Sequence, residues 1–448
     1  MSEKTSVLLV VGIGSQKDRD SRPYREHLLA GAARAYPLWL VETDELTWQA
    51  PYAAGSSVVP ERTTEALVAT CREVAARHDV KGVMCPDEGL LLAAAHVVAD
   101  LGLPGAALDA VRACRDKKRG RRLMTDAGLL QPPHTSVRSA EELHAVTEEY
   151  GFPVVLKPRA LGASSGVIKV EGPAQVDDAF AVTTSADYPG IERYPDIMVE
   201  EYLEGPEISV DGSVVDGAYE PYIVAHKRIG PEPFFVETGH VVTAEDPALR
   251  DPQILDLLQR AHKALGFHHG MTHAEIKFTA RGPVVIEING RPGGDLIPRL
   301  GRLAAGVDLG WIAAHVAVGA RPPGPTARST TRREGPRTVG IRFCCPTQDC
   351  TVTGIDLPRP EEHDGLVEAA SLVEAGDQLR CPPADYVSRF AYLIATGTDA
   401  ADCSSRLDEL ERAVTLHGKA VEPDAPPPLG PHRSPGTAVP ITPTGVIT

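Results

Sequence analysis

Apolar and polar positions alternate with a changing period along the first hundred residues. Val7–Val11 is a short apolar run that predicts a strand, closed by Gly12-Ile13-Gly14-Ser15. Arg25–Ala35 has helical spacing, Leu38–Val41 reads as a second strand, and Thr63–Arg77 as a second helix. Lys81–Cys85 predicts a third strand ending in Pro86-Asp87-Glu88. The Ala-rich run Leu90–Leu101 is helical, and Leu103-Pro104-Gly105 turns out of it. Strand and helix in alternation predict an open parallel sheet. The pair Gly12 and Gly14 lacks the third glycine of a dinucleotide fingerprint, because Lys17 stands there. A tight structural turn is therefore favoured over NAD binding.

Asp116–Ala127 predicts a helix with five basic residues, stopped by Gly128. Such a cluster is ordinarily a solvated face, and in an acidic chain also a place to hold a polyphosphate. A helix over Ala140–Tyr150 precedes Pro153–Pro158, an apolar strand that carries Lys157. A lysine in such a run is costly unless its charge has a partner. The small-residue turn Gly162-Ala163-Ser164-Ser165-Gly166 lies between two strands and lets backbone N–H groups approach an anion. It is not a Walker loop, since no Gly-Lys-Ser/Thr follows. Met198–Leu203, containing Glu200-Glu201-Tyr202, leads through Gly205-Pro206 into a second strand opening at Glu207.

Two further β-like runs stand out, Thr272–Phe278 with Glu275 and Val284–Asn289 with Glu287. Period-2 alternation allows both acids to face one way, and Glu287 and Asn289 share a strand face. Carboxylates and an amide together suit Mg²⁺, a hard cation that takes oxygen ligands and shares substrate phosphates. Arg291, two residues on, would sit near the same charge.

With 448 residues the chain is too long for one ordinary core and predicts two to three domains. A hydrophobic content of 42% and a formal net charge of −16 fit a globular protein and argue against nucleic-acid binding, which needs a basic face. The first apolar run is too short for a signal peptide or a membrane span, so a cytoplasmic protein is expected. The eight cysteines show no C-x-x-C and read as reduced thiols; Cys344, Cys345 and Cys350 have the wrong spacing for a zinc knuckle. Arg321–Pro336 reads as a linker or long loop, Val339 to about Leu416 as a small α/β module, and Pro426–Thr448 as a largely disordered Pro-rich tail.

The ordered set Asp116-Lys117, Lys157, the Gly/Ser loop, Glu200-Glu201-Tyr202-Leu203, Glu207 and Glu275/Glu287/Asn289 resembles the ATP-grasp superfamily from about residue 5 to 320. The resemblance implies an α/β fold with an N-terminal open parallel sheet and ATP-grasp lobes built on antiparallel sheets. It implies an N-terminal domain over 1–115, an ATP-grasp domain over 116–320 with a lid at about 150–205, a C-terminal module over 321–420 and a tail over 421–448. By the same resemblance Lys117 and Lys157 contact the phosphates of ATP, and Gly162, Ser164, Ser165 and Gly166 form the flap above them. Glu200, Glu201, Tyr202 and Leu203 would line the adenine, and Glu207 would bind the ribose. Glu275, Glu287 and Asn289 would hold two Mg²⁺ ions, with Mn²⁺ as a substitute, and Arg291 would stabilise the transferring phosphoryl group.

Phe235-Val236-Glu237-Thr238-Gly239-His240 and His273-Ala274-Glu275-Ile276-Lys277 are similar to stretches of bacterial L-amino-acid ligases and carnosine synthase-like ligases. That implies a carboxylate–amine ligase forming an amide through an acyl phosphate, and a cytoplasmic enzyme that is often a homodimer. Its partners would be small acids and amines. Glu237 would meet a substrate ammonium and His240 a carboxylate or the acyl centre. Ala274 in place of Thr, and Gly293-Gly294-Asp295 in place of bulkier residues, imply a roomier or more polar pocket. His268, His269 and His273 are expected to be structural, or to stand behind the magnesium ligands, rather than to bind zinc. The alternatives are an ATP-dependent carboxylase or purine-pathway ligase of the same fold, and a catalytically silent nucleotide-binding regulator.

Overall fold

The computed structural model describes residues 4–14, 21–188, 190–230, 232–322 and 337–421. The linker from residue 323 to 336, the tail from 422 on, and Ser15 and Lys17 of the first turn lie outside the described residues. The chain divides into two compact units. One comprises residues up to 131 with 207–225 and 242–322; the other comprises 132–206, 226–241 and 337–421. The division falls within the strands β10 (Ala218–Ile229) and β11 (Glu237–Thr243). The expected lid, and the C-terminal module from residue 337 on, belong to the second unit.

The first unit opens with the predicted parallel sheet, in the order β3-β2-β1-β4, from β1 (Ser6–Val11), β2 (Leu38–Glu42), β3 (Ala53–Val58) and β4 (Asp79–Met84). Strand β3 is absent from the sequence reading. Its residues Ala-Ala-Gly-Ser-Ser-Val carry no apolar run, and it lies at the sheet edge, where only β2 supports it. Four helices accompany this sheet: α1 (Ser21–Ala35), α2 (Thr64–Arg77), α3 (Leu91–Leu101) and the unpredicted α4 (Leu108–Arg115). Helix α5 (Lys117–Asp126) starts where it does because the Asp116 carboxylate accepts from the N–H groups of Lys118 and Arg119, at 3.1 and 3.4 Å.

The basic face of α5 is not wholly solvated. Arg121 is buried, donating to the Gln131 side chain at 2.7 Å and to the Val285 carbonyl at 2.6 Å. The unit's second sheet runs β13-β12-β9-β10, from β13 (Gly282–Asn289), β12 (Gly270–Thr279) and β9 (Glu207–Val215) into β10. Its apolar face, with Ile208, Val210, Ala274, Ile276, Val285 and Ile288, packs on Leu257, Leu258 and Ala261 of α8 (Pro252–Ala264). Alternation along these strands then puts Glu207, Ser209, Asp211, His273, Glu275 and Lys277 on the opposite face. Helices α9 (Ile297–Ala305) and α10 (Leu309–Ala317) complete the unit.

The second unit holds an antiparallel sheet in the order β5-β8-β6-β7, from β5 (His134–Val137), β6 (Val154–Pro158), β7 (Ile168–Val170) and β8 (Ile197–Glu201). Helices α6 (Ala140–Tyr150) and α7 (Val176–Ser185) cover it, with Leu143, Val176, Ala179 and Val182 in its core. From β11 a further sheet continues as β14-β18-β16, made of β14 (Thr338–Cys344), β16 (Leu366–Ser371) and β18 (Ala391–Gly397). A small sheet β17-β15-β19, from β15 (Cys350–Asp356), β17 (Gln378–Leu379) and β19 (Thr415–Ala420), and the helix α11 (Ala400–Arg412) close the C-terminal module. All eight cysteines are free thiols. No helix among the described residues is long and apolar enough to cross a membrane.

Candidate active site

Register along the second sheet of the first unit turns the polar face into rows. Glu275 pairs with Glu287 on one side and Ser209 on the other; His273 pairs with Asn289 and Asp211; Lys277 pairs with Glu207. The two acids expected to share a face are thus direct cross-strand neighbours. Like charges so placed repel unless a cation intervenes. Lys117, at the first position of α5, supplies one, its ammonium 3.1 Å from the Glu287 carboxylate. The Ser209 hydroxyl, wholly buried in the same row, meets no hydrogen-bond partner among the described residues. Carboxylate, amide and hydroxyl oxygens together, with no sulfur and one imidazole set back in the next row, fit Mg²⁺ rather than a softer ion.

Glu207 faces Lys277, their charged ends 3.6 Å apart. Arg291, just past β13, donates to Glu88 at 2.5 Å, and Arg115 reaches the other Glu88 oxygen at 2.9 Å. Glu88 did not stand out as a site residue in the sequence. The available signal was its position after the third strand, since ligands of open α/β sheets bind beyond the carboxyl ends of the strands. Beside it Asp87 pairs with Arg62 at 3.0 Å, and the buried Glu42 accepts from the Ile13 N–H at 2.7 Å. Burial pushes the Glu42 carboxyl up to about 7. His269 Nε2 donates to the Val316 carbonyl at 2.7 Å, a structural contact. Gly293 does not widen a pocket: a Cβ there would lie 2.7 Å from the His273 ring and 2.9 Å from the Asp211 carboxylate.

In the second unit Lys157 has the partner its position requires. Its ammonium lies 2.6 Å from Glu200, and both side chains are buried. The loop from Gly162 to Gly166 is a compact double turn, with Ser165 N–H on the Gly162 carbonyl at 3.1 Å and Val167 N–H on that of Ser164 at 3.0 Å. Ala163 and Ser164 both sit in the left-handed region, at φ 53° and 55°. Each such residue costs about 1–3 kcal/mol and is typical of ligand clamps. Of the following segment, the Glu201 and Tyr202 N–H groups are bonded to the carbonyls of Pro133 and Pro153, at 3.0 and 3.2 Å, and Leu203 is buried. Lys169 lies over the Tyr202 ring, 4.6 Å from its centre.

Glu237 and His240 come together at 3.3 Å, His240 almost fully buried. Glu237 already has an ammonium neighbour, the deeply buried Lys227 at 2.8 Å, which the sequence did not single out. The C-terminal module reaches the same place. Arg389 donates to the Glu237 carbonyl at 2.8 Å and stacks on Phe343, 3.8 Å from the ring centre. Phe343 in turn presents its ring edgewise to His240.

Residues 150–298 match the family model of the ATP-grasp domain. An uncharacterised protein of Sinorhizobium fredii (y4rH) is 28% identical over 367 residues, covering 80% of this chain and 72% of that protein. Alanine–anticapsin ligase of Bacillus subtilis is 28% identical over 244 residues, 48% of this chain and 49% of its own length. The chain therefore spans about half the length of that ligase. Among solved structures, the L-amino acid ligase of Bacillus licheniformis superposes with a TM-score of 0.73 at 18% identity, covering 93% of this chain and all (100%) of that one. The fold is that of the ATP-grasp proteins.

Proposed function

We propose that this chain, which has the fold of the ATP-grasp proteins, activates a carboxylic acid with ATP and couples it to an amine, both substrates being amino acids or close relatives. The carboxylate oxygen attacks the γ-phosphorus and ADP leaves; the amine nitrogen then attacks the acyl carbon, releasing phosphate and leaving an amide. The observation that carries this reading is the Glu275–Glu287 row, with Lys117 held against it. Phosphoryl transfer asks a protein chiefly for positioning and charge neutralisation. Magnesium, when bound, would supply Lewis-acid charge neutralisation for two anions brought together.

In the first unit we assign Glu275, Glu287 and Asn289 to hold the metal, Lys117 to the phosphates, Glu207 to the ribose and Arg291 to the developing charge on the transferring group. In the second unit, Lys157 and the backbone of Gly162, Ser164, Ser165 and Gly166 hold the phosphates and keep water away from a hydrolysable intermediate. Glu200, Glu201, Tyr202 and Leu203 are assigned to the base. Glu237 and His240 are assigned to the substrates, with Lys227 as the ion-pair partner of Glu237. The relatives' names support amino-acid substrates, and the free thiols suit a reducing cytoplasm.

The test is phosphate release from purified protein with Mg-ATP and pools of amino acids. Release should require a particular acid–amine pair and should vanish in Glu287→Ala with the fold intact. Turnover stimulated by bicarbonate and by no amine would overturn the ligase reading in favour of a carboxylase. Undiminished turnover in Glu287→Ala would overturn the metal assignment.

A further inference from the structure

The structure assigns a positioning role to the Asp211–His273 pair: it fixes the Glu275 carboxylate and the loop that carries Arg291. This inference rests on the metal-site reading above, and extends it to Asp211 and His273, to which that reading gives no role. Asp211 lies in the middle of β9 with no exposed surface. A buried carboxylate costs several kcal/mol unless its partners are well placed. Its two oxygens are divided between two jobs: Oδ2 faces His273 Nδ1 at 3.3 Å, and Oδ1 accepts the Gly293 N–H at 2.5 Å.

Each job leads to a site residue. With Nδ1 turned to Asp211, His273 presents Nε2 towards Glu275, 3.8 Å from its carboxylate, and His273 stands opposite Asn289 in the strand register. The bond to Gly293 holds the chain two residues beyond Arg291. That loop needs holding, because Asp295 and Leu296 follow it in consecutive left-handed conformations, at φ 52° and 61°. Gly293 itself is required by the clamp, since any Cβ would enter the space between His273 and Asp211. One buried carboxylate therefore ties β9, β12 and the end of β13 into a single geometry. Groups behind a metal's own ligands commonly change metal affinity about 10- to 100-fold when removed.

The experiment measures Mn²⁺ binding by electron paramagnetic resonance, with a non-hydrolysable ATP analogue present, on the full chain and on Asp211→Asn, His273→Gln, Gly293→Ala and Glu287→Ala. Far-ultraviolet circular dichroism checks folding. Asp211→Asn keeps shape and an acceptor for the Gly293 N–H while removing the charge. We expect Asp211→Asn and His273→Gln to bind Mn²⁺ about 10- to 100-fold more weakly while folded. We expect Gly293→Ala to lower kcat with little change in the KM for ATP. Should Asp211→Asn fail to fold, His273→Gln and Gly293→Ala decide the matter. If Glu287→Ala loses Mn²⁺ while both pair variants keep wild-type affinity, the positioning role is wrong and the metal site stands. If Glu287→Ala keeps Mn²⁺, the metal site itself is wrong and this inference falls with it.

Discussion

Lys157 and Glu200 offer the sharpest quantitative prediction. Lys157 lies near the end of an apolar strand and Glu200 on the neighbouring strand, and their charged ends meet at 2.6 Å with 7% and 5% of the side chains exposed. Glu200→Gln leaves an ammonium buried without its counter-charge, and Lys157→Met leaves a carboxylate in the same position. Removing one partner of such a pair costs about 3–5 kcal/mol, whereas replacing both groups by uncharged ones of similar size is often near neutral. The double variant should then be much more stable than the sum of the single losses, with a coupling of at least about 2 kcal/mol. The three tryptophans, Trp39, Trp48 and Trp311, all lie in the first unit, so their fluorescence does not follow this one. Native-state hydrogen exchange of peptides covering β6 and β8 does. Single variants with unchanged protection, or a double variant as unstable as the sum, would refute the reasoning.

Three further outcomes follow from individual groups. Glu42 titrates near 7 when folded and near its ordinary value of 4.5 when unfolded. The folded state thus holds the extra proton, and the stability it confers, full below about 4.5, is lost as pH rises through about 7. In Glu42→Gln that decline should flatten, as read from tryptophan fluorescence in urea at pH 5 and pH 8; equal declines in both proteins would contradict it. Gly166→Ala should raise the KM for ATP in a folded protein, because its φ is +71° and a Cβ would meet that of Ala186 at 2.5 Å; an unchanged KM would remove the loop from the site. Arg389→Ala should alter amino-acid KM values more than that for ATP, because Arg389 braces Glu237 and Phe343; the reverse pattern would detach the C-terminal module from substrate recognition.

Local periodicity carried much of this site in the sequence. The alternation in Thr272–Phe278 and Val284–Asn289 was enough to expect Glu275 and Glu287 on one face, and the strand register agrees. Lys157 in an apolar strand required a counter-charge, but nothing local named Glu200 as that group, forty-three positions away along the chain. Non-local approach also hid Asp211, whose partner Gly293 is 82 residues on, so that a glycine required by close packing read as a pocket residue. Arg121 looked like its basic neighbours because helix spacing alone does not say which turn of a short helix faces the core. Strand β3 escaped because an edge strand of small residues has no hydrophobic pattern to betray it.

The most direct test of the whole account is a calorimetric titration of the full chain with a non-hydrolysable ATP analogue, with and without Mg²⁺, beside Glu287→Ala. Binding that needs Mg²⁺ in the wild type and is lost in the folded variant is the predicted result. Equal binding by both proteins, indifferent to the cation, would contradict it.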